Sequence, residues 1–201
     1  MLIKQNAPLI LASTSKIRKR ILDEVGLEFE VVTPLFDEDE EKKDITLPAK
    51  ELAMYLAEQK ALSVCEKHQD SYIIGSDQVC EFDNQEISKS KNSDEAKSQL
   101  KAMSGNVHFQ NNAVAIALNG NIIFRNFSQV KLQMRPISDA EVDNYVFIDQ
   151  PWGCAGSYKY ESLGKHLFED VTGDYYAVLG LSIQPLLSFL HQEKIISIRD
   201  K

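Results

Sequence analysis

The spacing of apolar positions changes several times along the chain, and each change marks an expected element. "LILA", Leu9 to Ala12, is a short, wholly apolar run that predicts a strand. It leads into "STSKIRKRILDEVGL", where Ile17, Ile21, Leu22 and Val25 recur at helical spacing and Gly26 supplies a stop. Strand, serine-rich turn and helix therefore follow in that order. "FEVVTP" predicts a second strand, an acidic loop comes next, and a helix is expected from about Pro48 to Lys67. "YIIGSDQVCEF", residues 72 to 82, starts as an apolar strand and is expected to end in "GSDQ". "NSDEAKSQLKAMSG" reads as a helix capped by Asn92 or Ser93 and stopped by Gly105. "NAVAIALNGNIIFRNFSQVKLQM" reads as a hairpin turning at Asn119-Gly120. Ser138 and Glu141 have the spacing of a capping box, and Pro185 opens a last amphipathic helix. Hairpin and crossover connections together predict an α/β fold with a mixed sheet and flanking helices.

No repeat, low-complexity tract or Pro/Gly-rich linker divides the 201 residues, so a single domain over 1–201 is expected. At 43% hydrophobic and 26% charged, the chain can bury a real core. No apolar stretch approaches the roughly 18 residues of a membrane helix. "MLIKQNAPLILAS" lacks the long apolar region and cleavage site of a signal peptide, so a cytoplasmic protein without a membrane partner is expected. Cys65, Cys80 and Cys154 lie far apart with no CxxC, which supports neither a disulfide framework nor a zinc knot. The net charge of -8 and the cluster Asp37 to Glu41 disfavour a nucleic-acid partner, which needs a basic face. An anionic ligand would have to be met by local cations.

Such local cations exist. Ser13, Thr14 and Ser15 precede a helix whose first turns hold Lys16, Arg18, Lys19 and Arg20. That is the unfavourable end of a helix for cations unless an anion or acidic side chains sit nearby. Hydroxyls, free backbone N–H groups and an arginine make a phosphate site, although a solvated helix face with Ser15 as an ordinary cap fits the pattern too. Lys60 falls inside the apolar stripe formed by Ala49, Leu52, Ala53, Leu56, Ala57 and Val64. It either snorkels to the rim or points a cation into a cleft. Asp77 closes an apolar run and reads either as a turn residue or as a functional carboxylate; Lys89 lies in a loop. The four histidines show no metal-ligand spacing, and there is no GxSxG or P-loop pattern.

Taken in order, "LILASTSKIRKRIL", "FDED", "LAEQKA", "IIGSDQV", "ISKSKNSDEAKSQLKAMSGNVH" and "DNYV...CAGSYKYESLGKHLFEDVTGDYYAVLGL" resemble the blocks of the Maf family of nucleotide pyrophosphatases over nearly the whole chain. The resemblance implies a mixed α/β fold similar to inosine triphosphate pyrophosphatases, with two lobes around a cleft. It implies hydrolysis of a nucleoside triphosphate to monophosphate and pyrophosphate with a divalent cation, Mg or Mn. Asp77 then matches the catalytic aspartate that accepts the proton of the attacking water. Glu38, Lys60 and Lys89 match other catalytic positions, and Glu38 with Asp77 would hold the metal. Ser13, Ser15, Ile17 and Arg18 match substrate-binding positions. Gln78 and Glu161 resemble the branch that cleaves 7-methyl-GTP, whereas pyrimidine-specific relatives carry Thr and Gln there. A homodimer is implied by the resemblance alone. The alternatives are a dTTP/UTP pyrophosphatase, or a nucleotide-binding regulator of septum formation with little hydrolysis. The chain departs from the family pattern at Lys16 (usually proline), Ile17 (arginine or tryptophan), Ser88 and Ser90 (the glycine and proline of "GKP"), and Asn111-Asn112 ("TG").

Overall fold

The computed structural model describes residues 3–198, apart from the side chains of Asp39, Lys43 and Asp44. Met1 and Leu2 of the N-terminal stretch and Asp39 of the acidic cluster thus lie outside what is described. Strand β1 (Ile3–Gln5) pairs antiparallel with the last strand, β9 (Ile196–Ile198), in a two-stranded sheet. The main sheet has seven strands. Its parallel part is β2 (Leu9–Ala12) flanked by β3 (Phe29–Val32) and β4 (Tyr72–Phe82). Its antiparallel part continues from β4 through β6 (Val107–Leu118) and β7 (Asn121–Met134) to β8 (Phe168–Thr172), with β5 (Gln85–Ile87) pairing only the far end of β4. The β6–β7 hairpin turns at Asn119 and Gly120, both at positive φ, as a two-residue primed turn requires.

Helices α1 (Lys16–Glu24), α2 (Glu38–Asp44), α3 (Ala49–Leu62), α4 (Ser93–Met103), α5 (Asp139–Asp149), α6 (Tyr175–Val178) and α7 (Ile183–Gln192) complete the fold. The mixed α/β architecture is the one the hydrophobic pattern predicts, and the caps at Ser15, Asn92 and Ser138 sit where expected. Three details differ. The acidic segment is helix α2, because the Asp37 side chain accepts from the Glu40 N–H and the following acids sit at the favourable end of the helix dipole. The helix that begins after Pro48 ends at Leu62, and Cys65–Lys67 form a separate 3-10 turn. Strand β4 does not stop at "GSDQ" but runs five residues past Asp77 to Phe82, since β6 keeps pairing with it as far as Glu81.

Alternation along the strands divides the core in two. Ile74, Cys80, Val114 and Ile116 face the larger core, shared with α1, α4, α5 and α7. Ile73, Val79, Ala113, Ala115 and Ala117 face the side where α3 packs. The small residues on this second face, with Ala53, Ala57 and Ala61 of α3, let helix and sheet approach closely. Gly75 marks the tightest point: a Cβ there would lie 2.8 Å from the Ala61 nitrogen and nearer still to the Ala57 carbonyl oxygen. That approach places the last turn of α3, and Lys60 with it, over the middle of β4.

Gly75→Ala forces backbone against backbone, and overpacking of this kind costs about 1–3 kcal/mol or more. Urea unfolding should show at least that loss of stability, with a disproportionate loss of activity because Lys60 moves with α3; a melt like the parent's would mean the helix does not need this contact.

Candidate functional site

The cleft arises from a gap in the sheet. Strand β2 pairs with β4 only as far as Gly75, and β5 begins pairing at Cys80, so residues 76–79 of β4 have a partner on the β6 side alone. The parallel strand β2 connects through α1 to β3 on one side, while β4 lies on its other side. The carboxyl end of β2 therefore meets the middle of β4 at a switch in strand order, the kind of place where ligand crevices form in such sheets. A cleft of about 500 Å³ opens there. It is lined by all ten site residues expected from the sequence: Ser13, Ser15, Ile17, Arg18, Glu38, Lys60, Asp77, Gln78, Lys89 and Glu161.

Because side chains alternate along β4, Asp77 points with Gly75 and Val79 to the α3 face, and Ser76 and Gln78 point to the face of α6. Asp77 is 3% exposed and Lys60 9%. The Lys60 ammonium donates to Asp77 Oδ1 and, at 2.8 Å, to Glu38 Oε2. The lysine is thus held between two carboxylates and does not snorkel to the rim. Lys42, one helical turn after Glu38, reaches Glu38 Oε1 at 3.2 Å, and the exposed Lys89 lies 3.5 Å from the same atom. Burial alone would raise the Glu38 carboxyl, but the charge of Lys60, then of Lys89 and Lys42, outweighs it and holds the group at about 2. Asp77 Oδ2 is buried and has no hydrogen-bond partner.

The turn after β2 builds the second wall. Ser15 caps α1 by accepting from the Arg18 N–H, and Ser13 Oγ accepts from the Ser15 N–H and from Arg18 Nη1. Of the four cations near this end of α1, Arg18 alone lines the cleft; its Nε donates to the Gly180 carbonyl at 2.7 Å. Lys19 and Arg20 pair with Asp23 and Glu24 on the outer surface, which is how those charges are tolerated near the positive helix end. Burial draws the Arg18 guanidinium below its ordinary value, against the pull of Asp77 and Glu38.

On the other face, the Gln78 amide donates to the carbonyls of Ala177 and Val178. It is fixed to α6, not free to adapt. Glu161 and Tyr160 line this end of the cleft together with Ile17. Behind them Gln110 donates to the Ala155 carbonyl and to the Tyr158 hydroxyl, whose oxygen lies 2.9 Å from His108 Nε2. This Gln110–Tyr158–His108 wall carried no signal in the sequence, because each residue reads as an ordinary strand or loop position. Lys42 did leave a trace in its i, i+4 spacing from Glu38. Asn112 shows up in the sequence only as a departure from a motif. In the fold it is fully buried, donates to the Asp77 carbonyl and Ser76 Oγ, and accepts from the N–H and hydroxyl of Ser182. It therefore ties the backbone of β4 to the start of α7.

Among the described residues no three His, Cys, Asp or Glu side chains cluster as a metal cage, and no helix is long and apolar enough to cross a membrane. A family model described as "Maf-like protein" matches residues 8–193. The "Nucleoside triphosphate pyrophosphatase" of Bradyrhizobium diazoefficiens is 37% identical over 196 residues, covering 96% of each chain. The protein of that name from Legionella pneumophila is 34% identical, covering 96% of this chain and 98% of that one. The Ham1 protein of Staphylococcus aureus, a solved structure, superposes with a TM-score of 0.45 at 12% identity over 92% of this chain and 99% of its own, too distant a likeness to carry an argument.

Burial lowers the His108 imidazole to about 4, so in the folded protein it stays neutral until well below its ordinary titration near 6.5. The unfolded chain takes up that proton first. The stability contributed by the neutral ring is therefore complete above pH 6.5 and is lost as pH falls towards 4, by about 3 kcal/mol at most. In urea unfolding at pH 7, 5.5 and 4.5, His108→Gln should show a shallower fall of stability than the parent; parallel curves would mean the ring is not desolvated.

Proposed function

The chain belongs to the Maf-like protein family, and on that premise we propose that it hydrolyses the α–β anhydride bond of a nucleoside triphosphate, with 7-methyl-GTP as the preferred substrate. The products are nucleoside monophosphate and pyrophosphate. As its relatives' names state, this is pyrophosphatase chemistry, the work of a hydrolase acting on acid anhydrides. The observation that carries the reading is the buried Lys60–Asp77–Glu38 cluster at the open edge of β4.

The nucleotide straddles that edge. Its phosphates meet Lys60 and Lys89 from the α3 side and Arg18 with the N-terminus of α1 from the other side of the edge, and together these offset their charge. Asp77 accepts the proton of a water whose oxygen bonds to the α phosphorus, while the bond from that phosphorus to the bridging oxygen breaks. The electron pair leaves with pyrophosphate, whose added charge the same cations stabilise. A divalent cation fits this site: Glu38 and Asp77 offer hard carboxylate oxygens, and Asp77 Oδ2 is buried and unpartnered. When bound, Mg²⁺ or Mn²⁺ would polarise the phosphoryl oxygens and neutralise developing charge.

The base lies towards Ile17, Tyr160 and Glu161 on the opposite face. Methylation at N7 places a positive charge on guanine, whose N1–H and N2 amino group are donors. The Glu161 carboxylate accepts both and opposes the charge. Gln78, held against α6, sets the floor of this end of the cleft.

Asp77→Asn is nearly isosteric and cannot accept the proton, so pyrophosphate release should fall at least about a hundredfold in a folded protein. Near-normal turnover would remove Asp77 from the chemistry. In a side-by-side panel with Mg²⁺ or Mn²⁺, 7-methyl-GTP should be cleaved more efficiently than GTP, dTTP or UTP. Glu161→Gln should cost about ten- to a hundredfold on the methylated base, the scale of a hydrogen bond to a charged group, and less on GTP. A clear preference for dTTP or UTP would overturn the base assignment and leave the pyrophosphatase reading standing.

A further inference from the structure

The two carboxylates suited to a cation are already engaged. The Lys60 ammonium donates to both Asp77 and Glu38. Glu38 is also met by Lys42 and Lys89, and Arg18 closes the other side. A free divalent cation arriving here would meet an ammonium between the two carboxylates suited to hold it, and cations already matching their charge. Lys60 cannot simply leave, because Asp77 would then be a buried charge with no partner, which is strongly unfavourable. The arrangement changes only if another anion takes the ammonium at the moment the cation takes the carboxylates.

A nucleoside triphosphate supplies that anion. We infer that Lys60, bonded to both carboxylates, holds the place of the metal until substrate arrives, so that free metal does not load first and the substrate the cleft accepts is the metal-chelated triphosphate. Three further observations favour this. Lys60 lies in the last turn of α3, and its four-carbon stem can swing towards the phosphates without moving the helix. Two carboxylates are too few for a protein-only cage but suit a cation that brings phosphate oxygens and water as its other ligands. Asp77 Oδ2, buried and unpartnered, is the oxygen kept for the exchange. The inference rests on the reading of the cleft as a triphosphate site, and it adds the order of binding.

The test is calorimetric titration of Mn²⁺ into the full-length, nucleotide-free protein. Lys60→Met should bind Mn²⁺ at least about tenfold more tightly than the parent, a difference of about 1.4 kcal/mol, while its pyrophosphate release falls. Equal or weaker binding would overturn the placeholder role. Should the variant fail to fold, as judged by its thermal melt, the parent decides the matter. Mn²⁺ alone should leave its Tm unchanged, and Mn²⁺ with a non-hydrolysable α,β-methylene triphosphate should raise it; a rise with Mn²⁺ alone overturns the inference. Hydrolysis measured with and without EDTA separates the two failures. No activity on any nucleotide sinks the functional reading itself, whereas activity that needs no metal leaves hydrolysis standing and overturns the placeholder role. Metal-dependent activity with Mn²⁺ affinity unaffected by Lys60→Met sinks only the order of binding.

Discussion

The ion pair between Lys60 and Asp77 joins the last turn of α3 to the middle of β4, and much of the cleft is arranged around it. Neither charge could be buried alone. A buried pair of this kind adds little net stability over apolar residues of the same volume, but removing one partner costs about 3–5 kcal/mol. The molecule therefore keeps the pair intact and builds around it. Ala57, Ala61 and Gly75 give up side-chain volume so that α3 can lie close enough for the lysine to reach. Glu38, at the start of α2, adds the second carboxylate, and Asn112 anchors the Asp77 carbonyl from β6.

The pair is reachable from solvent because the sheet is incomplete beside it. Had β2 continued three residues further, or β5 run on three residues past Ile87, the edge of β4 at Asp77 would be occupied by a neighbouring strand. Instead β2 ends at Ala12, and its chain turns through Ser13 to Ser15 into α1. The gap thus delivers a carboxylate, a serine-rich turn and a helix N-terminus to the same place. The charge balance of the whole chain is acidic, yet the cleft gathers Arg18, Lys42, Lys60 and Lys89 around two or three carboxylates. Local geometry, not net charge, decides what kind of ion such a cleft receives.

Local pattern was enough for the elements whose signals are local. The apolar run at Leu9 to Ala12, the helical spacing through Ile21 and Leu22, the caps at Ser15, Asn92 and Ser138, and the turn at Asn119-Gly120 each depend on residues within a few positions of one another. The oddities also stood out locally: a lysine in an apolar stripe, a carboxylate closing an apolar run, and cations at the wrong end of a helix. Their joint meaning came from block order, which resembles a family. Strand β4 runs past its expected end for a physical reason. A strand continues wherever a neighbour pairs with it, and the pairing of Val79 to Glu81 with Phe109 to Asn111 is set 30 residues away.

By itself, then, the sequence determined the class of fold, the elements with local signals and ten of the residues that line the cleft, because these follow from short-range periodicity and from recognisable blocks. Tertiary structure decided which charges from different elements face one another. It put Lys60 on Asp77 and Glu38, turned Arg18 to Gly180 while Lys19 and Arg20 paired outward, and fixed Gln78 to α6. It also assembled Gln110, Tyr158 and His108 into a wall from residues up to 50 positions apart. Those facts depend on helix-to-sheet distance and on which face of β4 each side chain takes, and both are set by packing between segments that are remote in the chain.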